Sequence, residues 1–397
     1  MNLEGLRFAI RQLAAVNETT APVLSCYVNL EGGRQSYRPA LDERVRTLRS
    51  TLDTPEREAF EMALAQIEAY LGTALEGPTR GVAVFSRAID GPIFLTLQFG
   101  VPLPNELSIA ALPRIYPLVQ AKDAYHRYVV LITTEEHARI LEVDVGTATR
   151  RLWAERPELR KRVGRIWSHE HYQNHRRDRG DRFMKEKVRL LERVVSGGGH
   201  SHLILAGSAE AVARVRSRLP KRLRDMLVDI VTASSRDKDA DVVTATLASF
   251  IDHEQQESVL TAARLKDELR RGGLAVADTG PTLHALRQGQ VDVLVMAETY
   301  EPAKGWKCGA CGALAAMERT DRPAACPECG ERETRSADLQ EEMVRLAEEQ
   351  DAEVEIVRES DALLDLGGVG CLLRFWTTEQ HHRRLSRTRD PKAEVAS

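Results

Sequence analysis

Four cysteines stand in two tight pairs, Cys308-Gly-Ala-Cys311 and Cys326-Pro-Glu-Cys329, with 14 residues between the pairs. Each pair, followed at once by Gly312 or Gly330, has the form of a knuckle, a tight turn that offers two thiolates. Two knuckles supply four soft ligands to one tetrahedral Zn²⁺ at about 2.3 Å. The gap falls just below the usual window of about 15–20 residues and is ample for a short hairpin. A closed four-sulfur site has no open coordination position, so the expected zinc is structural rather than catalytic. Two disulfides, or four idle thiols, are the competing assignment, and composition argues against it. The remaining cysteines, Cys26 and Cys371, sit inside apolar runs, where a thiol is a small core residue. So few cysteines suit a reducing compartment.

A second kind of chemistry is electrostatic. From Arg150 to Arg193 basic residues are dense, with aromatics and histidines between them. The candidate RNA contacts are Arg160, Lys161, Arg162, Arg165, Trp167, His169, Tyr172, Gln173, His175, Arg176, Arg177 and Arg179. Guanidinium groups pair with phosphate and stack on bases, and RNA loops are held by such stacking. The plainer assignment is a solvated helix face on which Asp178, Asp181 and Glu186 form i,i+4 pairs. His169-Glu170-His171 with His175 does not follow the His-Glu-x-x-His order of a metal helix. It reads as RNA contact or polar surface. Gly197-Gly198-Gly199-His200 lacks the Lys-Ser/Thr of a phosphate loop and reads as a helix stop.

The chain as a whole sets limits on these readings. Its 397 residues suffice for two to four domains. It is 43% hydrophobic and 29% charged, with a formal net charge of only -3, so any case for nucleic acid has to be local. No apolar run of about 18 residues exists, which excludes a spanning helix. The start, Met1 to Arg7, lacks a basic flank leading into an apolar stretch, so a cytoplasmic location is expected. Residues 377–397 are polar and charged and are expected to form a flexible tail.

The elements that must position these groups fall into three segments. The first opens on an amphipathic pattern at Leu3, Leu6, Ile10, Leu13 and Val16. A strand over Val23–Leu30, helices over Ala40–Leu52 and Thr54–Leu71, and strands over Gly81–Phe85 and Ile93–Phe99 follow. The second has strands at Tyr128–Ile132 and Ala138–Val143. The basic tract then leads into a helix ending near Val195, and a buried strand at Leu203–Ala206 precedes a helix capped by Ser208. The third begins near His253 with a helix over Glu254–Leu269. Strands at Leu274–Ala277, Val291–Met296, Val354–Val357 and Gly370–Phe375 alternate with helices at Thr282–Arg287 and Ala337–Glu349. The cysteine module interrupts this third α/β pattern, and it lacks the paired histidines and recognition helix of a DNA-reading finger.

The ordered series Gln288–Val295, the two knuckles, Glu341–Ala347, Ala352–Val357 and Leu366–Phe375 resembles the third domain of the eukaryotic and archaeal class-1 peptide chain release factors and their relative Pelota. Leu203-Ile204-Leu205-Ala206-Gly207-Ser208-Ala209-Glu210 is similar to their central domain. The first segment looks most like the bacterial branch, which includes the Balon-like hibernation factors. The resemblance implies an α/β, three-domain release-factor-like chain, each domain a small sheet packed with helices. The domains would be 1–125 on the decoding side, 126–252 in the centre and 253–376 as the third domain, with a zinc ribbon inserted at 303–334. The family carries Gly-Gly-Gln in the central domain, where two glycines let the backbone approach the peptidyl-tRNA ester. Here the matching stretch reads Arg165-Ile166-Trp167-Ser168-His169-Glu170-His171-Tyr172-Gln173. Bulky residues replace those glycines, and no Asn-Ile-Lys-Ser loop for stop-codon reading is present in the first segment. The implied function is a ribosome-associated translation factor that occupies the A site without Gly-Gly-Gln catalysis, in hibernation or rescue. The alternative is a peptidyl-tRNA hydrolase or release factor using Gln173 or His169 in place of the missing glutamine. Implied partners are ribosomal or transfer RNA, and a translational GTPase such as elongation factor Tu through the third domain. Neither DNA nor a membrane is implied.

Overall fold

The computed structural model describes residues 1–77, 79–155, 169–234, 236–317 and 322–376. In chain order these form α1 (Leu3–Ala14), β1 (Val23–Asn29), α2 (Arg38–Thr51), α3 (Thr54–Thr73), β2 (Gly81–Arg87), β3 (Ile93–Phe99), β4 (Glu106–Ala110), α4 (Tyr116–Ala124), β5 (Tyr128–Thr133), β6 (His137–Asp144) and β7 (Thr147–Glu155). Next come α5 (His169–Ser196), β8 (His202–Gly207), α6 (Ala209–Arg216), α7 (Lys221–Asp225), β9 (Leu227–Val231), α8 (Asp239–Arg270), β10 (Ala275–Ala277), α9 (Thr279–Arg287) and β11 (Val291–Ala297). The last are β12 (Gly305–Cys308), β13 (Leu314–Ala316), β14 (Thr334–Ala337), α10 (Leu339–Glu349), β15 (Glu353–Val357), α11 (Asp361–Leu364) and β16 (Val369–Leu373). No helix among the described residues is long and apolar enough to cross a membrane.

The chain divides into two compact units. The first comprises Met1–Phe8, Glu18–Leu112 and Ala124–Glu254. It holds an antiparallel sheet of order β3-β2-β1-β4 and a mixed sheet of order β7-β6-β5-β8-β9. In β1, Leu24, Cys26 and Val28 fall on one face by the period of two. With Val82 and Val84 of β2 they meet Leu41 and Val45 of α2 and Phe60, Leu64 and Ile67 of α3. The α3 helix starts where the Asp53 side chain accepts the Glu56 amide at 3.0 Å, the usual device for an orphan N–H of a first turn. In the mixed sheet β5 and β8 run parallel, Val130 opposite Ile204. Leu191, Val194 and Val195 of α5, at helical spacing, cover Val129, Leu131, Leu203 and Leu205 together with Val212 and Val215 of α6.

The second unit comprises Ala9–Asn17, Pro113–Asp123 and the chain from Gln255 onward. Its main sheet has the order β10-β16-β11-β15, and a separate three-stranded sheet has the order β13-β12-β14. β16 pairs antiparallel with β11, and β15 pairs parallel with it. Cys371 is fully buried in β16 and Cys26 nearly so in β1. Burial pushes both thiols up to about 12, as expected of core residues.

Several expected elements differ in extent. The helix expected from Glu254 is the second half of α8, which runs unbroken from Asp239 to Arg270. No proline or glycine interrupts those 32 residues. The strand expected at Gly370–Phe375 is Val369–Leu373. The start of the basic tract, which leads into the expected helix, lies on a strand, β7, and Arg150 there pairs with Glu142 of β6 at 3.7 Å. The expected flexible tail, 377–397, lies outside the described residues.

Candidate metal centre and basic surfaces

Both cysteine knuckles have the same backbone bonding. The Cys308 amide donates to Ala313 O at 2.8 Å and Gly312 N to Cys308 O at 3.1 Å. In the second, Cys326 N donates to Glu331 O at 2.7 Å and Gly330 N to Cys326 O at 2.8 Å. Each turn closes on a left-handed residue, Gly312 at φ 70° and Gly330 at φ 77°, a conformation glycine adopts without penalty. β12 delivers Cys308 to its turn, and β13 and β14 flank it in antiparallel register.

The sulfurs of Cys308 and Cys329 lie 3.6 Å apart, as do those of Cys311 and Cys326. All four fall within 4.8 Å of one another. A tetrahedron with metal–sulfur bonds of about 2.3 Å places its sulfurs about 3.8 Å apart, so the four thiols fit one ion. Cys308 and Cys326 are buried, packed with Trp306 and Ala313, and Cys311 and Cys329 are exposed. Burial pushes the Cys326 thiol up, but the Cys329 and Glu328 amides and the neighbouring thiols outweigh it and bring it down to about 7. The ordered series of knuckle, hairpin and knuckle therefore forms a candidate metal centre from Cys308, Cys311, Cys326 and Cys329.

Two ion pairs that spacing alone did not reveal fix this centre to its surroundings. Arg287 of α9 grips Glu328, inside the second knuckle, through two parallel bonds of 2.6 and 2.8 Å. That bond to Arg287 holds the Glu328 carboxyl below its usual range. Lys307, next to the first knuckle, donates to both oxygens of Glu342 on α10 at 3.1 and 2.9 Å.

The proposed RNA contacts divide by location. Arg160, Lys161, Arg162, Arg165 and Trp167 lie outside the described residues. His169, Tyr172, Gln173, His175, Arg176 and Arg177 lie on α5, whose first residue is His169. Their side chains are outside the described part of the chain. Arg179 is half-buried on the same helix. Further along α5, Lys187 is 1% exposed and donates to Thr133 Oγ1 of β5 at 3.0 Å. Its ammonium also stands 4.4 Å from the centroid of the Phe183 ring. By position Lys187 belongs to the basic tract between Arg150 and Arg193; packing makes it an anchor between α5 and β5. A second arginine run, from Arg214 to Arg224, was not recognised in the sequence because its apolar spacing also reads as an ordinary amphipathic turn.

Residues 113–250, about a third of the chain, match the family model of bacterial archaeo-eukaryotic release factor family 10. Among solved structures the chain is similar to an archaeal translation termination factor, aRF1, at 17% identity over 94% of this chain and 99% of that one, with a TM-score of 0.26. It is also similar to Archaeoglobus fulgidus Pelota, at 16% identity over 75% and 80% of the two chains, TM-score 0.35. The C-terminal domain of a Methanosarcina mazei peptide chain release factor matches 36% of this chain and 99% of its own, at 23% identity and TM-score 0.28. No curated protein matches the sequence.

Proposed function

We propose that this chain is a cytoplasmic translation factor that enters the ribosomal A site as release factors do and works there without Gly-Gly-Gln catalysis, in hibernation or rescue. One observation carries the reading. In the stretch that, by the resemblance to release factors, corresponds to their catalytic glycines and glutamine, this chain reads Ile166-Trp167-Ser168-His169. Only glycine lets a backbone approach a ligand that closely. The three-part division at 1–125, 126–252 and 253–376 belongs to the same reading. So does contact of the tract from Arg160 to Arg179 with ribosomal or transfer RNA.

The four cysteines hold Zn²⁺, making residues 303–334 a zinc ribbon. The ion contributes folding free energy there and no reactive position. The ribbon-bearing third part is the docking module for a translational GTPase, of which elongation factor Tu is the bacterial candidate.

Two measurements on purified ribosomes test the function. The protein should co-sediment with 70S particles and leave peptidyl-tRNA intact on loaded ribosomes. Peptide release that disappears with Gln173→Ala or His169→Ala would establish the hydrolase in its place.

A further inference from the structure

Between α6 and α7 the chain reads Arg214-Val215-Arg216-Ser217-Arg218-Leu219-Pro220-Lys221-Arg222-Leu223-Arg224. Val215, Leu219 and Leu223 recur every fourth residue and are buried in the core under the mixed sheet. That anchoring turns Arg214, Arg216, Arg218, Lys221, Arg222 and Arg224 to solvent, and all are exposed. Arg214 is balanced by Glu135 and Glu210, and Arg218 by Asp181. Arg216, Lys221 and Arg222 have no ion-pair partner among the described residues. The acids flanking the run are Asp225, which is exposed, and Asp229, which is half-buried.

Next to these cations lies a cleft of about 590 Å³. It is lined by the apolar side chains of Ala209, Val212, Ala213 and Ile230 and by Arg216 and Arg224. Ile230, on the edge strand β9, is 41% exposed although it is a large aliphatic residue. Charge alone would attract any anionic surface. An apolar lining shared with two arginines adds a preference for a flat, apolar ring joined to phosphates. That description fits an unstacked nucleotide of a single strand, held by stacking and backbone contacts together.

We propose that the α6–α7 cleft binds single-stranded RNA. A base lies over Val212, Ala213 and Ile230, between Arg216 and Arg224, while Lys221 and Arg222 meet flanking phosphates. The site is separate from the tract ending at Arg193. Only the biological source of the RNA rests on the ribosome-binding reading.

The test is fluorescence anisotropy of a short labelled RNA with the full chain across a salt series. Each phosphate contact to a single strand contributes about 0.7 to the slope of log K against log salt. Arg216→Gln, Lys221→Gln and Arg222→Gln together should therefore flatten the slope by about 2. The same change makes binding about 100-fold weaker near 0.1 M salt. An unchanged thermal melt shows that the triple variant is folded. Ile230→Asp should remove the preference for the RNA over its abasic counterpart. A slope unaffected by the triple variant overturns the proposal. So does equal, equally sensitive binding to phosphatidylglycerol vesicles or to poly-glutamate, which would mark a bare charge patch. If the RNA results hold while wild-type protein fails to sediment with ribosomes, the cleft stands and the A-site reading falls. Normal sedimentation with a flat RNA response overturns the cleft alone.

Discussion

Glu341 and Arg345 stand one turn apart on α10, 3.5 Å from each other, and close the ends of two other helical segments in opposite senses. Glu341 accepts the Ile115 amide at 2.6 Å and the Tyr116 amide at 3.1 Å, where α4 begins. Arg345 donates to Leu13 O at 3.1 Å and Ala14 O at 2.9 Å, where α1 ends, and to Pro113 O at 2.7 Å. An anion thus serves the positive end of one helix and a cation the negative end of another. Burial pushes the Glu341 carboxyl up to about 7, against the pull of Arg345 and of the two amides.

That shift gives stability a direction with pH. With its folded pKa above the ordinary glutamate value of about 4.3, Glu341 lets the folded chain keep a proton that the unfolded chain releases. The stability it contributes is complete below about pH 4.3 and is lost as pH rises through about 7. Thermal midpoints measured between those limits should carry a downward component with rising pH, and Glu341→Gln should remove it. An identical pH slope in the variant would mean that Glu341 is charged throughout.

Removing the cation of the same pair should cost more than a surface charge would. Arg345 is 3% exposed, so Arg345→Ala leaves a buried carboxyl and three carbonyls unserved. A loss of about 3–5 kcal/mol in denaturant titration is expected. Arg345→Lys should restore only part of it, because an ammonium cannot span the carbonyls as a planar fork does.

For the cysteine centre, metal analysis of pure protein should find one zinc per chain. Cys308→Ser should reduce that content and lower the thermal midpoint, since a closed site contributes folding free energy. Arg287→Ala should keep the zinc. It should cost no more than about 1 kcal/mol, because its partner Glu328 is half exposed and such pairs are weak. A full-strength melt for Cys308→Ser with no zinc in the wild type would remove the metal assignment.

At the end of β8, Gly207 has φ 155°, and a Cβ there would lie 2.3 Å from Thr133 O of the neighbouring strand. That oxygen is backbone and cannot swing aside. Gly207→Ala should destabilise the chain by about 1–3 kcal/mol, read as a shift in denaturant midpoint with an unchanged slope.

How much of this was legible in the sequence depended on whether burial left a period behind. The strands around Leu24–Val28 and Leu203–Ala206 are buried on both faces and appear as apolar runs. The knuckles were legible because thiolate chemistry dictates spacing. β4, β7 and β9 are edge strands, half solvated, and their polar residues hide the alternation. Thus no strand was expected around Arg150, although it sits on β7 opposite Glu142. α4 begins on Tyr116-Pro117 and depends on Glu341, 225 residues away, for its first amides. No local signal announces such a partner. In the same way, the Arg287–Glu328 grip needs the fold to bring α9 to the second knuckle.

The four-cysteine insertion leaves the main chain path at Gly305 and rejoins it at Ala337, and these two residues are direct partners across β12 and β14. Paired strand residues have Cα atoms about 4.5–5.5 Å apart. Everything between them is therefore a cassette that a deletion could excise with little more than a turn to close the gap.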